Sequence, residues 1–119
     1  MEYDINTGIT YNALELIDAG KLARSCPSQW WNRTLCAVND SVVRLGVFEG
    51  EFHWHKHDRE DELFFVLEGE LLLDLPERTV SLQPQQAMVV PRGVMHRTRA
   101  DRRAVVLMVE AAGVHARGD

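Results

Sequence analysis

The sequence predicts a mainly all-β protein, a small antiparallel β-barrel preceded by a short N-terminal helical arm. Its 119 residues suffice for one domain, and 45% apolar with 26% charged residues is typical of a folded globular chain. After Trp30, short apolar runs are separated by turn residues about every eight to twelve positions, as in all-β domains. We therefore divide the chain into an arm, residues 1–30, which packs on the barrel or is exchanged with a partner, and a barrel domain, residues 31–119.

The arm contains the one segment with helical spacing, Tyr11–Arg24, where apolar side chains recur every three or four residues. Asn12 is a candidate N-cap, and Gly20 followed by Pro27 favours an end to the helix. The sequence therefore predicts one short helix before the barrel.

Nine segments after the arm are predicted to be strands. They are Thr34–Val38, Ser41–Glu49, Glu51–His57, Glu62–Glu68, Glu70–Leu75, Thr79–Leu82, Ala87–Val90, Met95–Arg99 and Ala104–Glu110. Gly69 lies between two apolar runs and favours a tight hairpin that needs a positive φ. Because side chains alternate faces along a strand, we expect Phe64, Val66, Met88 and Val90 to line the interior.

Charge and composition exclude several classes of function. Thirteen Lys and Arg against eighteen Asp and Glu give a net charge of −5, which disfavours binding to nucleic acid. No apolar run approaches the ~18–20 residues of a membrane span, and no export signal precedes the first strand, so we expect a soluble cytoplasmic protein with no membrane partner. Cys26 and Cys36 form no metal or disulfide motif, and no nucleophile elbow or glycine-rich phosphate loop is present.

Histidines are concentrated in one short segment. His53, His55 and His57 alternate along a predicted strand, so their imidazoles are expected to point the same way. Glu62 begins the next strand, and His96 follows a sharp turn later in the chain. Three imidazole nitrogens and one carboxylate oxygen suit zinc, iron(II), manganese(II), nickel or copper. The pattern therefore indicates a site for a divalent transition metal.

Two spaced motifs carry a resemblance to a known family. They are Gly50-x4-His55-x-His57-x4-Glu62-x6-Gly69 and Pro91-x-Gly93-x2-His96. Both resemble the motifs of the cupin superfamily, and the chain looks most like small single-domain bacterial cupins, some of which are described as mannose-6-phosphate isomerase-like. The resemblance implies a double-stranded β-helix, or jelly roll.

The resemblance also implies which residues hold the metal: His55, His57, Glu62 and His96. Gln85 stands where the second motif opens with glycine, and Ala100 where it closes with asparagine. Neither position is a ligand, so these departures affect turns rather than the metal.

Three acidic or imidazole side chains near the ligands have alternative interpretations. Glu60 and Asp61 compete with Glu62 for the metal if the strand register slips, although a solvated acidic turn explains them as well. His53 is either an additional polar group deeper in the barrel or a buried histidine satisfied by a neighbour. If the reaction transfers a proton, Glu62 and His53 are the catalytic candidates.

The cupin resemblance implies a metal-dependent enzyme acting on a small organic molecule. The reaction is either isomerisation with the ion as a Lewis acid or an iron-dependent dioxygenation. The alternative is a non-catalytic cupin that binds or senses a small ligand. A homodimer is expected, because similar proteins pair through their N-terminal segments and an open barrel leaves sheet edges to cover. The adjacent Trp30 and Trp31 are interpreted as core packing or a subunit contact.

Overall fold

Eight strands and one short helix make up the computed structural model, which describes residues 2–119. They are β1 (Asp4–Ile9), α1 (Ala19–Arg24), β2 (Trp30–Val38), β3 (Ser41–Glu51), β4 (Glu62–Glu68), β5 (Leu71–Asp74), β6 (Thr79–Leu82), β7 (Ala87–Val90) and β8 (Arg97–Ala111). The predicted all-β class is confirmed. Met1, the first residue of the predicted arm, lies outside the described residues. The six-residue α1 is too short to cross a membrane, and residues 2–119 contain no helix long and apolar enough to do so.

The strands form a jelly-roll sandwich organised around β8. The hydrogen-bonded order is β1-β2-β3-β8-β4-β7, and β5 pairs with both β6 and β8. Strand β8 pairs with β3 on one side and with β5 and then β4 on the other. The sheet does not close on itself, so the predicted barrel is open. The edge strand β1 runs parallel to β2, whereas the other pairs are antiparallel.

Apolar side chains form two clusters on opposite faces of β2, β3 and β8. The inner cluster includes Phe64, Val66 and Val90, with Met88 packed against it, so the prediction that these four line the interior is confirmed. The outer cluster lies under α1. Trp30 belongs to the inner cluster and its neighbour in sequence, Trp31, to the outer one. Both are buried, so the tryptophan pair is core packing.

The predicted helix over Tyr11–Arg24 is wrong in its first half. Leu14 adopts a left-handed φ of 70°, which interrupts a right-handed helix, and α1 therefore begins only at Ala19. Its N-cap is Asp18, whose Oδ1 accepts a hydrogen bond from the Lys21 backbone N–H at 2.9 Å, rather than Asn12. The arm also contains a strand, β1, that the sequence pattern did not predict.

The predicted strand Glu51–His57 is also wrong, because β3 ends at Glu51. Two backbone contacts continue beyond it: the Phe52 N–H donates to the Thr98 carbonyl, and His55 and His96 exchange reciprocal hydrogen bonds. Between these two contacts the first segment advances by three residues, from Phe52 to His55, whereas the second advances by two, from Thr98 to His96. The extra residue interrupts the alternation of faces, which turns His53 outward while His55 stays buried.

The two predicted strands Met95–Arg99 and Ala104–Glu110 are joined in the single strand β8. Between the pairs Phe48–Ala104 and Gly50–Ala100, the single residue Glu49 of β3 lies opposite three residues of β8, 101–103. Residues 101–103 are exposed and form an irregularity inside one continuous strand.

Candidate metal centre

Four predicted ligands meet in one buried cluster. One ligand atom from each of His55, His57, Glu62 and His96 lies within 4.8 Å of the others, and all four residues are buried. This is the only such group of three or more His, Cys, Asp or Glu residues found in residues 2–119. The arrangement is compatible with binding of a single ion.

The backbone positions three of these ligands at the same end of the sandwich. His55 and His96 are held by their reciprocal backbone hydrogen bonds of 2.9 and 2.8 Å. The His57 carbonyl accepts from the Gly93 N–H at 2.8 Å, which ties the first motif to the turn before His96. Glu62 is the first residue of β4.

Hydrogen bonds to carbonyl groups fix the tautomers of two of the imidazoles. His55 Nδ1 lies 3.0 Å from the His53 carbonyl oxygen, and His96 Nδ1 lies 2.9 Å from that of Val94. Because a carbonyl oxygen only accepts, both Nδ1 atoms carry the proton. This leaves the lone pair on Nε2, as is usual for a metal-binding histidine.

Several buried polar atoms of the cluster face one another without hydrogen-bond partners. Glu62 Oε1 lies 3.3 Å from His57 Nε2 and 3.5 Å from His96 Nε2, yet none of these three atoms makes a hydrogen bond of acceptable geometry. Buried polar atoms are seldom left unsatisfied, and a shared cation would satisfy all three. The donor set of imidazole nitrogen and carboxylate oxygen fits a divalent transition metal.

In His55 and Glu62 the pKa shifts favour the forms that bind metal. Burial lowers the pKa of His55 to about 4, so this imidazole is neutral at pH 7. Burial raises the pKa of Glu62, but the close imidazoles of His57 and His96, together with the neighbouring Glu110, outweigh it and bring the pKa down to about 2. Burial lowers the pKa of His57, but the adjacent Glu62 carboxylate more than compensates, so the net shift is upward.

A buried acid and arginine lie behind Glu62, and the sequence analysis missed both. Glu110 is the cross-strand partner of Glu62, and burial together with the Glu62 charge raises the pKa of Glu110 to about 9. Its Oε1 lies 3.0 Å from Arg44 Nε, with both side chains at most 3% exposed. Their signal in the sequence was a charged residue at an inward position of an otherwise apolar strand.

A small cavity adjoins the cluster. Its volume of about 20 Å³ holds about one water molecule. The lining residues are Trp30, Asn32, Phe48, Phe52, His55, Glu62, Phe64, Thr98, Met108, Glu110 and Ala116. The cavity therefore connects two of the predicted ligands with an aromatic wall.

The other predicted site residues lie outside the cluster. His53 is exposed, which corrects the expectation that it lies deeper in the barrel or is buried, and its Nε2 donates to the Arg117 carbonyl at 2.6 Å. Asp61 is exposed, and its Oδ1 accepts from the Arg92 backbone N–H at 2.9 Å. Glu60 is half-buried and is not part of the cluster.

The last residues of the chain cover the histidine segment. The Asp119 N–H donates to the Lys56 carbonyl at 2.9 Å, and Asp119 Oδ2 accepts from the Asp58 N–H at 2.7 Å. Gly118 lies so close to His55 that an added Cβ would approach the His55 Cβ to 2.6 Å. Together with Ala116 on the cavity wall, these contacts make the C-terminal segment part of the site.

Comparisons with known proteins agree with this architecture. A family model described as a cupin domain matches residues 41–110, more than half of the chain. The uncharacterized protein YdbB of Bacillus subtilis (strain 168) is 49% identical over 80 residues, which cover 66% of this chain and 71% of that protein. A solved cupin-2 domain containing protein from Shewanella frigidimarina is 30% identical with a TM-score of 0.77, covering 81% of this chain and 94% of that one.

A more distant structure extends the likeness in fold alone. An uncharacterized conserved protein with a double-stranded β-helix domain from Klebsiella pneumoniae is 18% identical, with a TM-score of 0.72, and covers 85% of this chain and 87% of that one. The fold and the buried cluster thus define a small jelly-roll protein with a site compatible with metal. The chain belongs to the cupin domain family.

Proposed function

We propose that this cupin is a metal-dependent enzyme that acts on a small organic molecule, with one divalent ion held by His55, His57, Glu62 and His96. The observation that carries the proposal is the convergence of four buried ligand atoms within 4.8 Å of one another. Three of these ligand atoms have no hydrogen-bond partner among the described residues, which supports the proposal because unpartnered buried polar atoms are costly.

When bound, the ion supplies either Lewis-acid polarisation of a carbonyl or enediol oxygen, for isomerisation, or iron-dependent chemistry of the dioxygenase type. The protein's own residues hold the ion and orient the bound molecule. Carbonyl groups hold His55 and His96 in the tautomer that presents Nε2. His57, His96 and Glu110 lower the pKa of Glu62 and hold it in its charged form. The aromatic wall of the cavity gives the reacting molecule an apolar surface to pack against.

Acid or base catalysis by Glu62 or His53 remains a prediction. A carboxylate bound tightly to the ion is a poor base, so Glu62 serves in this role only if it leaves the ion during the reaction. His53 reaches the site only if its hydrogen bond to the Arg117 carbonyl opens.

The test is metal content per protomer, measured by plasma mass spectrometry on untagged protein purified without chelator. We expect about one transition ion in the wild type and in His115→Ala, which removes an exposed histidine outside the cluster. The His55→Ala/His96→Ala variant should contain almost none. Iron directs the substrate search to oxygen uptake, and zinc, manganese or nickel directs it to isomerisation of sugars and keto acids. Wild-type protein that stays empty after added metal contradicts the proposal.

The lining of the cavity favours a second candidate, a non-catalytic protein that binds or senses a small ligand, because most of its wall is apolar and aromatic. The two functions are separated by product analysis. Turnover of a bound molecule identifies an enzyme, whereas tight binding with the molecule recovered unchanged identifies a sensor.

We also propose a homodimer that covers the N-terminal edge of the sheet. Strand β1 is a sheet edge, and Leu14 and Leu16 beyond it are 107% and 88% exposed. Exposed apolar residues next to a sheet edge favour association. Light scattering after size exclusion should give twice the chain mass of 13.6 kDa, and a mass of one chain would contradict this proposal.

A further inference from the structure

Asn32 has a buried amide oxygen without a hydrogen-bond partner in the described part of the chain. It lies on β2 and is 8% exposed, and its Oδ1 has no hydrogen-bond partner within residues 2–119. Asn32 pairs across the strands with Gly46, which offers no side chain that could reach the amide. An unsatisfied buried acceptor destabilises the fold, so its presence requires an explanation.

The location of Asn32 provides that explanation. It lines the same cavity as His55 and Glu62, two of the proposed ligands. Most of the remaining wall is apolar and aromatic, with Trp30 and Phe52 stacked at 14° between their planes. A molecule bound to the ion therefore meets an aromatic surface, the Asn32 amide oxygen and the polar side chains of Thr98 and Glu110, with no Lys or Arg among the lining residues that the structure describes.

We propose that Asn32 is a substrate-positioning residue whose Oδ1 accepts a hydrogen bond from a hydroxyl or N–H group of the bound molecule. The inference rests on the proposed metal site and adds the class of substrate: a compact chelating molecule with a hydrogen-bond donor beside its chelating oxygens. A phosphorylated sugar does not fit this class, because the cavity wall offers its phosphate no cationic side chain.

The test uses two probes that chelate metal alike and differ in one donor. Acetohydroxamate carries an N–H next to its two chelating oxygens, and N-methylacetohydroxamate lacks it. Their dissociation constants are measured on the cobalt(II)-loaded protein by the change in its visible absorption. We expect the wild type to bind acetohydroxamate about fivefold more tightly, the size of one neutral hydrogen bond.

The variants separate a hydrogen bond from a change in packing. Asn32→Leu should lower the ratio of the two dissociation constants to about one, and Asn32→Asp, which keeps an acceptor at this position, should retain the preference. Thr34→Val is the matched control, because Thr34 is also buried on β2 with an unpartnered hydroxyl but does not line the cavity. Its ratio should equal that of the wild type.

Failures of the two proposals give different results. If the wild type takes up no cobalt, or if neither probe changes its spectrum, the metal-dependent function fails and the role of Asn32 fails with it. If both probes bind but the wild type shows no preference, or if Asn32→Leu keeps the preference, only the role of Asn32 is refuted. If the preference arises only from steric hindrance by the N-methyl group, Asn32→Leu will keep it, because that hindrance does not involve the Asn32 amide.

Discussion

The buried carboxyl group of Glu110 should make the free energy of unfolding of this protein fall as the pH rises, and the substitution Glu110→Gln tests this. Its folded-state pKa is raised from 4.5 to about 9, because the group is buried and lies beside the charge of Glu62. In Glu110→Gln, an uncharged amide takes the place of the protonated acid. The amide has the size of the acid and stays polar beside Glu62 and Arg44, while the titration is removed.

The expected magnitude follows from linkage. Between pH 4.5 and 9 the unfolded chain ionises Glu110 while the folded chain keeps it protonated. The free energy of unfolding of the wild type therefore falls relative to the variant by about 1.4 kcal/mol per pH unit, once the pH is well above 4.5. From pH 5 to pH 8 the difference should change by about 4 kcal/mol in favour of Glu110→Gln.

Urea unfolding of chelator-treated protein at pH 5 and pH 8 measures this difference. The raised pKa of His57 contributes its own loss of stability as pH rises, but it contributes to both proteins and cancels in the comparison. Glu77→Gln, at an exposed turn, is the control and should follow the wild type at both pH values. A difference between wild type and Glu110→Gln that stays constant from pH 5 to pH 8 would refute the protonated Glu110.

Three further predictions concern stability and access to the site. Asp74→Asn should lower the free energy of unfolding by about 2–3 kcal/mol at pH 7, because the buried carboxylate accepts charged hydrogen bonds from two arginines of β8. Those hydrogen bonds outweigh burial and lower the pKa of Asp74, so the cost of the substitution should shrink as the pH falls below ~4. Equal costs at pH 3 and pH 7 would contradict this prediction. Gly69→Ala should cost at least about 1 kcal/mol in thermal unfolding, since φ is +78° and the new Cβ would lie 2.6 Å from a carbonyl of β8; a neutral result would show that the hairpin relaxes. Gly118→Val should speed the transfer of bound zinc to a coloured chelator by displacing the C-terminal segment from His55, and an unchanged rate would mean that this segment does not limit access.

The sequence was sufficient for the fold class and for the residues that meet in the cluster. Both depend on local spacing: the alternation within β4 and β7 fixed Phe64 and Val90 in the core, and the two motifs place their ligands at the ends of adjacent segments. Such patterns survive irregularities elsewhere, because each of them depends on only a few neighbouring residues.

Features that depend on pairing between distant segments were not predictable. The outward rotation of His53 follows from one extra residue opposite the segment of His96, and no single-strand pattern reveals such a mismatch. Glu110 and Arg44 belong to strands of apolar texture, where a lone charge is ordinarily placed at the surface. Their pairing became visible only when β3 and β8 were found side by side.

The reciprocal hydrogen bonds between His55 and His96 have a consequence for how the site can change over evolution. They join main-chain atoms, so the separation of these two backbone positions is independent of the side chains they carry. A cysteine, an aspartate or an apolar residue at either position would be held at the same place as the present imidazole. The scaffold therefore lets the donor set vary one residue at a time, so that a new metal preference, or the loss of metal altogether, can arise without rebuilding the fold.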